Sequence, residues 1–320
     1  MKITKVDIYM LDATAQRASR RPICCRIWTD EGFYGDGEAG IAFDYAAPAG
    51  IGMLQDISRL IIGKDPMRTD ELWERMFKIS FWGQGGGPVV FAAISAIDIA
   101  LWDLAGKRHG IPVYEALGGA SRSSIQVYNT CSGYSFNASS SAYNSGTSRR
   151  MITDKDEMRG PYDDQVAFTR DAGALAKSLL SEGYKIMKIW PFDPFAAKTQ
   201  GNWISAEDLE AGLKPFQLIR DAVGNKMEIM CELHSLWSTP AALRICKALE
   251  PYDIFWAEDP LCKMDDIQQI KELRSKTRTP ICGSETLAGA VTFRQMFAAG
   301  AFDYAMLDLG WCGGLTEGRK

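Results

Sequence analysis

MEIMCELHSLWSTPAALRICKALEPYDIFWAEDP, residues 227–260, decides the fold. It opens with a short apolar run, MEIMCEL (227–233), continues through the amphipathic STPAALRICKALE (238–250), and returns to a second short apolar run, YDIFWAE (252–258). Strand, helix, strand at this spacing is a βαβ unit, because parallel strands need a helical crossover. The same alternation extends both ways. IQVYNT (125–130), YKIMKIW (184–190), TPICGSE (279–285) and FDYAMLD (302–308) read as strands. The stretches 164–183, 206–224, 264–276 and 290–300 fill the gaps with helical periodicity.

The repeat is short and regular. Glu232, Glu258 and Glu285 each end a strand, and Asp308 ends the next. Spacings of 26, 27 and 23 residues between these positions suit a (β/α) barrel, which spends about 30 residues per unit. A doubly wound open sheet shares the local pattern but calls for a GxGxxG loop after its first strand, and none is present. GQGGG (83–87) follows no convincing strand and reads as a turn.

Before Ile125 the pattern differs. KITKVDIYML (2–11), PICCRIWTD (22–30) and EGFYGDGEAG (31–40) read as two strands and a turn into a third. Helical stretches follow through ISRLIIG (57–63), DPMRTDELWERMF (65–77) and VVFAAISAIDIALWDLAGKRHG (89–110), the last with a Gly110 stop. The expected organisation is therefore an α+β domain over 1–124 and a barrel domain over 125–320. The barrel carries a polar Ser/Asn/Gly-rich excursion at 131–165, too long for an ordinary βα loop.

Composition bounds the function. The 320 residues are 46% hydrophobic and 24% charged, with net charge −4, which argues against nucleic-acid or polybasic membrane surfaces. No uninterrupted apolar run reaches the roughly 18 residues of a membrane span. The strand-like N-terminus does not read as a signal peptide. The eight cysteines are scattered, read as buried thiols, and favour a reducing compartment, with cytoplasm the default.

Three carboxylates at successive strand ends converge on one barrel mouth, where their mutual repulsion calls for a hard divalent cation. A lone Glu there would be read as solvated; three at matching ends point to a Mg²⁺ site at Glu232, Glu258 and Glu285. Lys188, ending its strand, would hold a substrate carboxylate or an enolate oxygen. His234 follows Glu232 by two, so strand alternation would put both on one face and make His234 an acid/base candidate beside the metal. His109, at a helix end, reads as a dipole partner. Asp308 alone stands between function and capping.

Lys188-x-Trp190, Glu232-x-His234, AEDP (257–260), GSE (283–285) and LDLGWCGG (307–314), with TDEGFYGDGEAG (29–40) and FWGQGGG…ALGG (81–119), resemble the mandelate racemase/muconate lactonizing enzyme family of the enolase superfamily. The resemblance is to its acid-sugar, galactonate-type dehydratase branch. It implies an α+β cap on a TIM-like (β/α)₇β barrel, here lacking its last strands, with Mg²⁺ on the three glutamates. Lys188 matches the first lysine of the family's KxK, and Trp190, in the substrate site, replaces the second, which disfavours a two-lysine racemase or epimerase. His234 matches a general acid for a departing hydroxyl. Asp308 matches the aspartate paired with a base histidine on a seventh strand, which the sequence does not reach before Lys320.

The implied reaction is dehydration of an aldonate to a 2-keto-3-deoxy acid through an enediolate, with a small anionic substrate as partner. A racemase or epimerase, or a catalytically silent truncated homologue, are the alternatives. The family often forms homo-oligomers. The choice of sugar acid is expected to rest on the loop at 13–22 and on the 131–165 excursion.

Overall fold

In the computed structural model, residues 1–11, 22–41, 46–133 and 156–320 are described. Most of the 13–22 loop and the stretch 134–155 of the excursion lie outside them. The chain divides into two compact units. One comprises Met1–Ile125, Thr286–Arg294 and Leu307–Lys320; the other comprises Gln126–Glu285 and Gln295–Met306.

In the first unit, β1 (Ile3–Met10), β2 (Ile23–Thr29) and β3 (Tyr34–Ala39) form an antiparallel sheet in chain order. Strand β2 buries every second side chain, Ile23, Cys25, Ile27 and Thr29, the alternation expected of a sheet with one covered face. Helices α1 (Ala47–Ser58) and α3 (Pro88–His109) cover that face, α2 (Thr69–Ile79) packs on α3, and the short α4 (Val113–Ala116) follows. Helix α1 ends at Ser58, so most of ISRLIIG lies in the turns after the helix rather than in it. Gly110, at φ +67°, closes α3 in the left-handed conformation that glycine adopts without a Cβ penalty.

Sheet and helix meet closely. A Cβ at Gly35 or Gly37 would collide with the backbone carbonyls of Ala100 or Ala96, which explains the glycines of YGDG. By length and hydropathy α3 meets the test for a membrane span, contrary to the run-length reading. Asp98 and Asp103 interrupt the run without lowering the mean enough. Burial of 78% of its most apolar window accounts for that apolarity as the core of this unit. The C-terminal segment packs on the same helices. Trp73 Nε1 donates to the Gly313 carbonyl (2.8 Å), Trp102 Nε1 donates to Thr316 Oγ1 (2.9 Å), and the Thr316 N–H donates to Asp98 Oδ2 (2.8 Å).

In the second unit, five strands run parallel in chain order: β4 (Ile186–Ile189), β5 (Glu228–Glu232), β6 (Trp256–Glu258), β7 (Ile281–Gly283) and β8 (Tyr304–Ala305). Helix α5 (Asp164–Ser181) precedes β4. Between strands run α6 (Asp193–Thr199) and α7 (Ala206–Val223), then α8 (Thr239–Leu249), α9 (Ile267–Ser275) and α10 (Ala290–Ala299). Helix α7 shows its start in its chemistry: Ser205 Oγ accepts from the Asp208 N–H (2.9 Å), and Glu207 and Asp208 sit in the first turn.

The first expected strand, IQVYNT, is not a strand. It reaches the sheet through one bridge, where the Asn129 N–H donates to the Ile186 carbonyl (3.1 Å) and the Lys188 N–H donates to the Asn129 carbonyl (2.8 Å). Its apolar Ile125 and Val127 remain exposed, so no burial drives further pairing. All eight cysteines are free thiols, six of them buried.

Candidate active site

The parallel register sets Glu232 opposite Glu258 as Cα partners, with Lys188 one strand away opposite Met230. All three side chains are buried. Lys188 Nζ lies between the two carboxylates, donating to Glu232 Oε2 (2.8 Å) and to Glu258 Oε1 (2.5 Å). Trp256 Nε1 donates to the other Glu258 oxygen (2.9 Å), and the Tyr128 ring centroid lies 5.5 Å from Nζ.

The electrostatics follow from this packing. Burial alone would lower the Lys188 pKa, but the Glu232 and Glu258 charges outweigh it and hold it above the usual lysine value. Burial pushes Glu258 well above the usual carboxylate range, and the neighbouring Glu232 adds to the push. Glu232, despite its own burial, is held low by His234 and Lys188. Asp259, next in the chain, is raised by burial and then by the charges of Glu232 and Glu285. One ammonium thus acts on three carboxyl groups, Glu232, Glu258 and Asp259.

The backbone after these strands is unusual. His234 (φ +49°), Ser235 (φ +56°) and Asp259 (φ +42°) are all left-handed, a conformation that costs non-glycine residues about 1–3 kcal/mol each and clusters at functional sites. Hydrogen bonds hold it: the His234 N–H donates to Glu232 Oε1 (2.8 Å) and the Ser235 N–H donates to the Asp259 carbonyl (2.7 Å). Strand β5 stops at Glu232, so strand alternation does not set the direction of His234. The turn does.

His234 Nδ1 lies 2.8 Å from Asp193 Oδ2, and its ring packs edge-on against Trp190 at 5.6 Å between centroids. Trp190 is only 4% exposed and is itself held edge-on by Phe168 at 5.9 Å.

Lys188, Trp190, Glu232, His234 and Glu258 therefore gather in the second unit. Glu285, half-buried two residues past β7, belongs to the same unit. Asp308 belongs to the first unit, where its Oδ1 accepts from the Gly310 N–H (2.7 Å). His109 closes α3 beside Lys107 and Arg108. Sequence reading missed Asp193, Asp259 and Tyr128. Asp259 adjoins Glu258 in AEDP and carried a signal; Asp193, in PFDP (191–194), falls at no strand end and carried none.

The donor set fits a hard divalent cation in its chemistry: carboxylate oxygens in excess of positive charge, with the buried Asp259 Oδ1 lacking a hydrogen-bond partner. Among the described residues, no three His, Cys, Asp or Glu side chains stand in ready ligand geometry. Lys188 Nζ occupies the space between Glu232 and Glu258.

A parallel sheet carrying acidic strand ends and a separate α+β unit are the parts of a barrel enzyme and its cap. Residues 171–320 match the family described as enolase C-terminal domain-like, and residues 6–118 match the N-terminal domain of mandelate racemase/muconate lactonizing enzymes. Among solved structures, an enolase protein from the Sargasso Sea environmental genome is 41% identical with a TM-score of 0.81, over 99% of this chain and 74% of that one. An enolase of the mandelate racemase subgroup from Agrobacterium tumefaciens is 36% identical with a TM-score of 0.79, over 100% and 73%. Among curated relatives, a D-galactonate dehydratase family member of Pseudarthrobacter chlorophenolicus is 29% identical, over 100% of this chain and 74% of that protein. The D-galactonate dehydratase of Ralstonia pickettii is 28% identical, over 99% and 70%.

The chain belongs to the mandelate racemase/muconate lactonizing enzyme family of the enolase superfamily, with the family's α/β fold of TIM-like barrel and N-terminal cap.

Proposed function

We propose that the protein dehydrates a sugar acid to a 2-keto-3-deoxy acid with Mg²⁺ held by Glu232, Glu258 and Glu285. The observation that carries this reading is His234, fixed beside the carboxylate cluster while Trp190 takes the place of a second lysine. Relatives named D-galactonate dehydratase support the same substrate class.

The chemistry asks for charge stabilisation and a proton donor. Mg²⁺, when bound, supplies the positive charge that makes an enediolate accessible after loss of the α-proton. Lys188 adds an ammonium for the substrate carboxylate and the developing negative charge. His234 donates a proton to the β-hydroxyl as the carbon–oxygen bond breaks, releasing water. The resulting enol tautomerises to the 2-keto acid. Trp190 lines the substrate side of His234. The acceptor of the α-proton is assigned to neither histidine of this sequence, His109 or His234; Asp308 would act only as the partner of such a base.

Incubation with a panel of aldonates and Mg²⁺, followed by assay for 2-keto acids, tests the proposal. Keto acid formation that falls sharply in His234→Asn supports it. Epimer formation without keto acid overturns it in favour of racemase or epimerase chemistry.

A further inference from the structure

We propose that Asp193 is a positioning residue for His234, its buried carboxylate fixing Nδ1 so that Nε2 is the nitrogen presented for reaction. This rests on the reading of His234 as the proton donor. Asp193 is 2% exposed and lies 2.8 Å from Nδ1, while the His234 side chain keeps 12% exposure. The contact is an ion-pair approach outside hydrogen-bond alignment, and because a carboxylate only accepts, it favours the proton on Nδ1 and leaves Nε2 as the atom that gives one up. As the carbon–oxygen bond of the substrate breaks with its electron pair, the Nε2 proton passes to the leaving oxygen to form water. The nitrogen keeps the bonding pair, and the imidazole ends neutral with Nδ1–H still facing Asp193.

The placement of Asp193 has a structural cause. It opens α6, directly after Phe192, which is fully buried and stacks on Phe216 at 6.3 Å. The Phe192 ring lies against Gly212 of α7 so closely that any Cβ there would collide with it. The carboxylate also acts on the buried Cys231 thiol of β5, raising its pKa after larger contributions that begin with burial. An acid opening a helix can be there for the dipole alone. Such a residue would face solvent or its own backbone, whereas Asp193 is buried against a ring nitrogen. With Trp190 edge-on and the turn at φ +49°, three separate elements constrain one imidazole.

The test uses the full chain with Mg²⁺. Long-range ¹H–¹⁵N correlation on histidine-labelled protein, above neutral pH, reads the tautomer, and His109 is the internal reference because the sequence holds two histidines. We expect His234 as Nδ1–H in the wild type. In Asp193→Asn the amide can donate to Nδ1, so the ring shifts toward Nε2–H. In turnover on an aldonate, Asp193→Asn should lower kcat about 10- to 100-fold with KM little changed, the usual cost of removing such a supporting carboxylate. In a His234→Asn background it should cost nothing more.

An unchanged His234 tautomer in Asp193→Asn overturns the pairing, as does an equal kcat loss in the His234→Asn background. Should Asp193→Asn fail to fold, Asp193→Glu serves: Nδ1–H persists while kcat falls, and loss of Nδ1–H there overturns the pairing too. If the wild type turns over no aldonate, the functional reading falls and the tautomer measurement alone decides the pairing.

Discussion

Asp98 offers a measurement of how tightly the C-terminal segment is bound into the first unit. The side chain is fully buried on α3, and its Oδ2 accepts from the Thr316 N–H at 2.8 Å. Burial pushes its pKa from 3.8 to about 6, against the hydrogen bonds from Thr316 and Leu315. At about 1.4 kcal/mol per pH unit, keeping the charged form buried costs about 3 kcal/mol at neutral pH. Because the folded pKa is the higher one, the folded state holds the proton between about pH 4 and 6, and stability falls as pH rises through that window. Above about pH 6 the cost is complete and constant.

Asp98→Asn mimics the protonated acid at every pH. Subtracting its urea-unfolding free energies from those of the wild type cancels every other titrating group. The wild type should therefore lose about 2.4 kcal/mol relative to the variant between pH 4 and pH 7. The absolute offset also contains the cost, about 1–3 kcal/mol, of placing the new NH₂ where Oδ1 lacks a hydrogen-bond partner. The slope is the decisive quantity: a difference that stays flat with pH would refute the burial argument.

Three further outcomes follow from the site. Lys188→Met leaves Glu232 and Glu258 facing each other without their shared ammonium, and in EDTA it should cost about 3–5 kcal/mol in urea unfolding; unchanged stability would exclude the buried pair. Gly212→Ala drives a Cβ into the Phe192 ring, costing about 1–3 kcal/mol, and should lower kcat through Asp193 beyond what a distant variant of equal stability loses. Glu258→Gln removes a carboxylate from a cluster already short of positive charge, so the rise in melting temperature on adding Mg²⁺ should shrink; an undiminished rise would take Glu258 out of the cation's reach.

The sequence reading and the structure part company where local pattern stops deciding. The βα alternation was legible because short buried strands alternate with helices whose starts are written in Ser205 and Asp266. Lys188, Glu232 and Glu258 were legible as strand-end residues for the same reason. The orientation of His234 was not. It depends on a left-handed turn in a sequence, LHSL, without glycine, held by a local hydrogen bond to Glu232 and by one to Asp259 that only tertiary packing supplies. Asp193 was hidden because its role depends on Gly212, in the following helix, making room for Phe192. IQVYNT failed for the opposite reason: its pattern is that of a strand, but its apolar residues find nothing to cover them.

The position of Lys188 makes a sharper demand on the metal reading than the glutamates do. Its ammonium already sits within hydrogen-bonding distance of one oxygen each of Glu232 and Glu258. A divalent cation reaching those oxygens must compete with it or displace it toward the substrate. Binding to the folded state alone stabilises by about 2.7 kcal/mol at a hundred times Kd, so the competition is readable in unfolding curves. Lys188→Met should be destabilised in EDTA and recover more on Mg²⁺ titration than the wild type gains, because no ammonium has to move. If instead Lys188→Met gains nothing from Mg²⁺ while the wild type does, the lysine supports the cation rather than competing with it. The resting contact with Glu232 and Glu258 would then belong to the cation-bound arrangement as well.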